Sequence, residues 1–94
     1  MAAQGTATVD YGATPVDFAD FVITDAALIG LTYVEAFIMG EDTTADNAAD
    51  DHQQFGSRVK MCCGTPNGAG AFNLFTEIAV GFVTGTFKIR YAAN

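Results

Sequence analysis

The chain has few of the residues from which active sites are commonly built. Its 94 residues include no tryptophan, a single histidine (His52) and only two cysteines, the adjacent Cys62 and Cys63. No Walker A loop, GxSxG or HExxH pattern occurs. Either cysteine could pair with His52 as a nucleophile and base, but no flanking signature supports that arrangement. The sequence therefore favours a binding or structural protein over an enzyme.

The scarcity of cysteine and histidine also argues against disulfide, redox and metal sites. Adjacent residues on a strand point to opposite faces, so Cys62 and Cys63 are poorly placed to bond to each other. No CxxC motif is present, and His52 has no second imidazole with which to hold zinc. We expect both cysteines to be small apolar fillers, and we expect no cofactor and no metal.

Positive charge is scarce as well. Eleven acidic residues against four basic ones give a net charge of −7, which repels phosphate backbones and anionic membrane surfaces. We therefore expect neither direct nucleic-acid binding nor membrane binding. The longest apolar stretch, around Ala26–Met39, is interrupted by Gly30, Thr32 and Glu35 and is shorter than the roughly 20 residues of a membrane span. Residues 1–4 lack the features of a signal peptide.

What the sequence does contain is a series of short β patterns separated by turn residues. Half of the residues are apolar, which is enough for one thin core in a domain of this length. We predict a single all-β domain over residues 1–94, a small β-sandwich or jelly-roll-like barrel of six to seven short strands. The predicted strands cover residues 6–11, 16–24, 31–39, 55–63, 71–80 and 86–91.

The alternation of apolar and polar residues within these strands also predicts the interior. One side of each pattern should face the core, and the other should face water or a partner. The predicted interior residues are Val9, Phe18, Val22, Val34, Ile38, Val59, Met61, Phe72, Leu74, Phe87 and Ile89.

Two segments are expected to lie outside the strands. Residues 1–5 are small and are expected to form a flexible N-terminal arm that can pair with another chain. Residues 40–52, GEDTTADNAADDH, are too polar for the core and predict an acidic insertion, either a solvated loop or a short helix that contacts a neighbouring chain. Their carboxylates could bind Ca²⁺, but Asn47 and Gln53 replace the glycine and glutamate of an EF-hand loop. We therefore expect a solvated loop.

Two groups of residues are candidates for an interface. The third predicted strand is apolar on both faces, which indicates that a neighbouring subunit, or the acidic insertion, covers the second face. The four bases all lie on the outward faces of two predicted strands and would form one positive patch if those strands were neighbours; a solubilising face is the alternative. The interface candidates are Tyr33, Phe37, Met39, Arg58, Lys60, Lys88 and Arg90.

Three segments carry a resemblance to a known group of proteins. The segments ATVDYGATPVDFADFVITD (residues 7–25), YVEAFIMGEDTTADNAADDH (33–52) and GTFKIRYAAN (85–94) resemble small structural proteins, or terminal domains, encoded among bacteriophage virion genes. The most distinctive pieces are TADN…DDH and TFKIRY. The resemblance implies a β-rich virion component, a capsid decoration (cement) protein or a tail-associated module, and it implies no catalytic residues.

Charge helps to choose among the virion positions. Packaged DNA would repel a −7 protein inside the head, so we expect this one on the outer capsid surface. There it would stabilise the head as a homo-oligomer, with a trimer favoured, bound to the major capsid protein after assembly in the host cytoplasm. A tail or tail-fibre module is the first alternative. A carbohydrate-binding β-sandwich is the second: it lacks tryptophan, but Tyr11, Tyr33 and Tyr91 could stack on sugars.

Overall fold

The computed structural model describes residues 3–94 and confirms that the protein is mostly β. These residues form six strands, one α-helix and one short 3-10 helix. The strands are β1 (Ala3–Asp10), β2 (Phe18–Thr24), β3 (Val34–Phe37), β4 (Val59–Cys63), β5 (Ala71–Ile78) and β6 (Thr86–Ala93); the 3-10 helix spans Ala26–Leu28, and α1 spans Ala49–Arg58.

The strands form two separate antiparallel sheets of three strands each, rather than one closed barrel. The first sheet has the order β1-β6-β3 and the second has the order β2-β5-β4. The last two strands of the chain are therefore the central strands, β5 in the second sheet and β6 in the first. The chain crosses between the sheets three times before β4 and β5 pair as sequence neighbours.

The central strands supply most of the core. Both alternate buried and more exposed residues along their length, the period-2 pattern of a strand with one inward face. The inward residues of both sheets belong to one hydrophobic cluster, to which the 3-10 helix adds Leu28 and α1 adds Phe55. The cluster's members in the two central strands are Phe72, Leu74, Ile78, Phe87, Ile89, Tyr91 and Ala93.

A buried hydroxyl pair connects the two sheets. Tyr11 follows β1, and its hydroxyl lies 2.7 Å from Oγ1 of Thr76 on β5. The Thr76 hydroxyl donates to the carbonyl of Ala19 on β2 at 2.8 Å, so the Tyr11 hydroxyl is the donor in its own bond to Thr76. Burial raises the pKa of Tyr11, and the bond to Thr76 opposes that rise. Three strands are thereby tied together inside the core.

A second tyrosine fixes the loop after β2. Tyr91 on β6 lies opposite Gly5 on β1, and its ring occupies the space that any side chain at residue 5 would need. Its hydroxyl donates to Oδ2 of Asp25 at 2.7 Å, while Oδ1 of Asp25 accepts the Ala27 N–H at the start of the 3-10 helix. Burial, and then the bond to this carboxylate, raise the pKa of Tyr91 to about 12.

The predicted strand 55–63 is wrong in its first half. Residues 55–58 are the last turn of α1, and the strand begins only at Val59. The helix begins where the Asp51 carboxylate accepts the Ala48 N–H at 2.9 Å. It places Phe55 fully buried against Phe87, with ring centroids 4.1 Å apart. Tertiary stacking, which the alternating pattern does not reveal, decided the local structure.

The predicted inward face of β2 is also wrong. Phe18 and Val22 are 66% and 70% exposed, whereas Phe21 and Ile23 face the core. The pairing with β5 sets this phase, since Ile23 lies opposite the buried Phe72. Of the other predicted interior residues, Val9, Phe72, Leu74, Phe87 and Ile89 are buried, and Val34, Ile38, Val59 and Met61 are half-buried.

The ends of two predicted segments also differ from the structure. Ala3–Gly5, assigned to a flexible arm by the sequence, lie in β1 opposite Tyr91–Ala93 of β6; Met1 and Ala2 of that predicted arm lie outside the described residues. The third predicted strand is shorter than expected, since β3 spans only Val34–Phe37.

Truncation of Phe87 should be among the most damaging core changes. The side chain is buried, stacks on Phe55 and meets Tyr11 and His52 edge-on. We expect Phe87→Ala to lower the free energy of unfolding by about 3–5 kcal/mol in urea titration. Phe82→Ala is the control, because Phe82 is 63% exposed and should cost less than about 1 kcal/mol. Equal losses for the two variants would contradict the assigned core.

Candidate interaction surface

The acidic segment, residues 40–52, closes one edge of the first sheet. β3 pairs with β6 only from Val34 opposite Ala93 to Phe37 opposite Arg90. Beyond Phe37 the chain leaves the sheet, and the edge of β6 from Thr86 to Ile89 has no strand beside it. Side chains of the acidic segment meet the main chain of β6 there. The segment is therefore part of the fold, and the expectation of a solvated loop is wrong for Asp42 and His52, which are buried.

His52 makes the central contact of this closure. Its side chain is fully buried, and its Nε2 accepts the Lys88 N–H at 3.0 Å. An acceptor at Nε2 requires the ring proton on Nδ1, which lies 3.0 Å from the carbonyl of Ala48. Both ring nitrogens are thus occupied within the fold. His52 consequently has no free nitrogen with which to activate Cys62 or Cys63.

Thr86 is held by three side chains at the start of β6. Its N–H donates to the Asp46 carboxylate at 3.1 Å. Its carbonyl accepts from Oγ1 of Thr44 and from Nδ2 of Asn47, each at 2.8 Å. The bonds to Thr86, of which the one from its hydroxyl has the largest effect, hold the pKa of Asp46 below its usual range. Polar side chains thus take the place of a longer β3.

An ion pair completes the closure. The Asp42 carboxylate accepts from Nε and from one terminal nitrogen of Arg90, at 2.9 and 2.7 Å. This two-pronged geometry is the strong form of a carboxylate–guanidinium contact. The hydrogen bond to Arg90 holds the pKa of Asp42 below its usual range, although partial burial opposes the shift. Arg90, an interface candidate from the sequence, is therefore already paired within the chain.

The four bases do not form one positive patch, although Lys88 and Arg90 lie two residues apart on β6. Lys60 lies on β4 of the second sheet, whereas Lys88 lies on β6 of the first, so their strands are not neighbours. Arg58 ends α1 and donates to the carbonyl of Val80 at 2.9 Å. The single patch depended on adjacent strands, and the topology separates them.

The apolar interface candidates are all exposed. Tyr33, Phe37 and Met39 lie on or beside β3 with 58%, 40% and 46% of their surface accessible. Of the three tyrosines proposed to stack on sugars, only Tyr33 is exposed; Tyr11 and Tyr91 are buried. The carbohydrate-binding alternative loses two of its three aromatic platforms.

A second apolar surface lies on the outer face of the second sheet, and we call it the aromatic face. It consists of Phe18, Val22, Phe75 and Cys62, together with the polar residues between them. Phe75 lies at its centre, opposite Asp20 on one side and Cys62 on the other. A shallow open cavity of about 290 Å³ is lined by Phe18, Phe75 and Cys62. Exposed apolar groups that are contiguous in this way mark interaction sites more often than scattered ones do.

Three charges lie among the apolar groups of the aromatic face. Glu77 is opposite Phe18 on one side and Lys60 on the other, and Asp20 is opposite Phe75. The face therefore carries two acids and one base around its aromatic centre. The sequence did not single out this surface, because Phe18 and Val22 were assigned to the interior. The alternating pattern of β2 also allows Ala19, Phe21 and Ile23 to face inward, and that choice would have predicted this surface.

The cysteines occupy opposite faces of β4, as the strand pattern predicted. Cys62 is exposed on the aromatic face, and Cys63 is half-buried. Burial raises the pKa of the Cys63 thiol, which keeps it in the less reactive protonated form. Among residues 3–94, no cluster of three or more His, Cys, Asp or Glu side chains is placed to hold a metal ion. The described part of the chain also has no helix that is long and apolar enough to cross a membrane.

Comparison with known proteins gives no family assignment. No protein-family model matches the chain, and neither the curated proteins nor the solved structures include a match.

The edge closure should make stability depend on pH in the acid range. Because Asp42 and Asp46 have lowered pKa values in the folded chain, their contribution is complete above about pH 4, the unfolded value. It is lost as the pH falls through the folded values. We expect urea unfolding free energies to drop below about pH 4, and to drop less steeply in Asp42→Asn and Asp46→Asn. The exposed Asp50→Asn is the control. An unchanged slope in both test variants would contradict the assignment.

Proposed function

We propose that this protein is a non-catalytic structural protein that assembles with other protein chains, and that the aromatic face is its docking surface. The observation that carries the proposal is the exposure of Phe18, Val22 and Phe75 together on one outer sheet face, at 66%, 70% and 42%. We also propose that the two sheets pack as a small β-sandwich, an arrangement supported by their shared core.

The energetics favour docking at this face. Complete burial of a Phe or Val side chain is worth about 1.5–3 kcal/mol, so covering the exposed parts of these three would contribute roughly 1–2 kcal/mol each. Aromatic anchors near the centre of an interface commonly carry most of the binding energy. Phe75 occupies that central position, between Asp20 and Cys62 in the neighbouring strands.

The charges around the face indicate the chemistry of the partner. Asp20 and Glu77 outnumber Lys60, so the complementary surface is apolar with more bases than acids at its rim. We propose that this surface belongs to the major capsid protein of a bacteriophage. The resemblance of residues 7–25, 33–52 and 85–94 to small virion proteins supports that choice.

The proposed location is the outside of the phage head. A chain with net charge −7 is repelled by the DNA that fills the interior, and the outer surface avoids that cost. Each subunit would bridge neighbouring capsid proteins as a decoration protein. Many modest contacts made together would stabilise the shell against internal pressure through multivalency.

The virion setting is tested by location and copy number. Antibody labelling of intact particles should place the protein on the head surface, and quantitative mass spectrometry should count on the order of hundreds of copies per particle, as a repeating capsid lattice requires. Tens of copies located at the tail would support a tail module in place of the capsid. Absence from purified particles would overturn the virion proposal.

The docking surface is tested by a pair of matched phenylalanines. Phe18 and Phe37 are both exposed on outer faces, but of different sheets. We expect Phe18→Ser to weaken binding to undecorated capsids by roughly tenfold, a loss of about 1.4 kcal/mol, whereas Phe37→Ser binds normally. Circular dichroism should confirm that both variants fold. The reverse result would move the docking surface to the first sheet, the side of Tyr33 and Met39.

A further inference from the structure

The outer edge of β1 is open. β1 pairs with β6 along its whole length, from Ala3 opposite Ala93 to Asp10 opposite Thr86. On its other side, no strand is hydrogen-bonded to it among residues 3–94, although Ala7–Asp10 line an open cavity together with Phe21–Thr24 of β2. An unpaired edge offers main-chain N–H and C=O groups to any strand that can lie against it.

The hydrogen-bond phase shows which residues face outward. The Tyr11 N–H donates to the Gly85 carbonyl at 2.9 Å, at the position that continues the β1–β6 register. Because bonding direction alternates along an antiparallel strand, the odd-numbered residues of β1 bond to β6. The even-numbered residues point their main-chain groups outward; these are Gln4, Thr6, Thr8 and Asp10.

This edge lacks the features that usually protect an edge strand. β1 contains no lysine, arginine or proline, and its only charge is Asp10 at its end, where the carboxylate accepts the Gly12 N–H at 2.7 Å. The opposite edge strand of the same sheet, β3, has only four residues, one of them Glu35, and the acidic segment covers β6 where β3 has ended. The edge strand β2 of the other sheet has Asp20 in its middle. β1 is therefore the edge best suited to pairing.

We propose that β1 pairs antiparallel with β1 of a second copy of this chain, with Ala7 opposite Ala7 on a two-fold axis. This register aligns Gln4 with the second copy's Asp10 and Thr6 with its Thr8, so that every outward-facing residue of β1 is used. Each such pair exchanges two main-chain bonds, which gives roughly eight in all. The two first sheets become one sheet of six strands.

Side chains on both faces of β1 fit this pairing. On the outer face, Thr6 meets Thr8, a favourable cross-strand pair of β-branched residues. On the inner face, Val9 meets Gly5, where the ring of Tyr91 lies in place of a side chain. No like charges lie opposite each other, since Asp10 meets Gln4. A two-fold contact of this kind requires a self-complementary strand, and β1 has that property.

The contact defines the oligomer as a dimer, which replaces the trimer favoured from the sequence. It does not depend on the capsid setting. If the proposed docking function also holds, the dimer presents two aromatic faces, and one particle can then bridge two capsid subunits. Bivalent binding of this kind strengthens attachment without further contacts.

Charge substitutions at residues 6 and 8 test both the pairing and its register. Sedimentation equilibrium of the full chain, with reductant to prevent Cys62 from cross-linking, should give the mass of a dimer. Thr6→Lys combined with Thr8→Lys places lysines opposite each other twice and should weaken the dimer by about tenfold or more. Thr6→Lys combined with Thr8→Glu places opposite charges together and should restore it. Circular dichroism monitors folding of each variant.

Several outcomes would overturn the pairing. A monomeric wild-type chain at roughly 100 µM, where even a micromolar dimer is saturated, would do so. A trimeric mass, or dissociation by the lysine–glutamate pair to the same extent as by the two lysines, would also reject this contact. Capsid binding by a monomer would leave the docking function intact and reject only the β1 contact. A dimer that binds no capsid would support the β1 contact and reject the docking function.

Discussion

The fold depends on one hydrogen bond between a side chain and a strand: the Lys88 N–H donating to Nε2 of the buried His52. β3 ends after four residues, so half of the central strand β6 has no neighbour on that side. An unpaired main-chain group next to the core costs free energy, and His52 removes that cost for Lys88. His52 is the fourth residue of α1. Its position therefore also sets where the helix lies and brings Phe55 onto Phe87. Closure of the edge and completion of the core therefore depend on the same helix.

This arrangement assigns different tasks to different surfaces. The composition of the acidic segment predicts a surface free for partners, yet the chain itself uses Asp42, Asp46, Asn47 and His52. The surfaces that remain open are apolar or main-chain: the aromatic face of the second sheet and the outer edge of β1. Both are suited to contacts with protein rather than with small molecules. The proposed assembly function rests on this division between a closed polar edge and open apolar surfaces.

The sequence predicted the parts of the fold that depend on local pattern. The clean alternation of β6 gave Phe87 and Ile89 their inward positions correctly. It failed at β2, where both phases contain large apolar residues; Phe18 shares its phase with Asp20, and pairing with β5 places Phe21 inward. It failed at residues 55–58, where stacking of Phe55 on Phe87 outweighs an alternating pattern. The hydrogen bonds of Asp46 and His52 to β6 could not be predicted from local sequence pattern, because they join residues 36 to 40 positions apart.

The most direct test of the account is a nuclear magnetic resonance measurement of the Lys88–His52 hydrogen bond. In uniformly ¹⁵N-labelled protein, an N–H···N bond transmits a scalar coupling between its two nitrogens. We expect a resolved coupling between the Lys88 amide nitrogen and His52 Nε2, an Nδ1-protonated ring, and slow hydrogen exchange of the Lys88 amide. The coupling should be absent in His52→Phe. A Lys88 amide that exchanges freely in the wild-type chain, with no coupling to His52, would contradict the account.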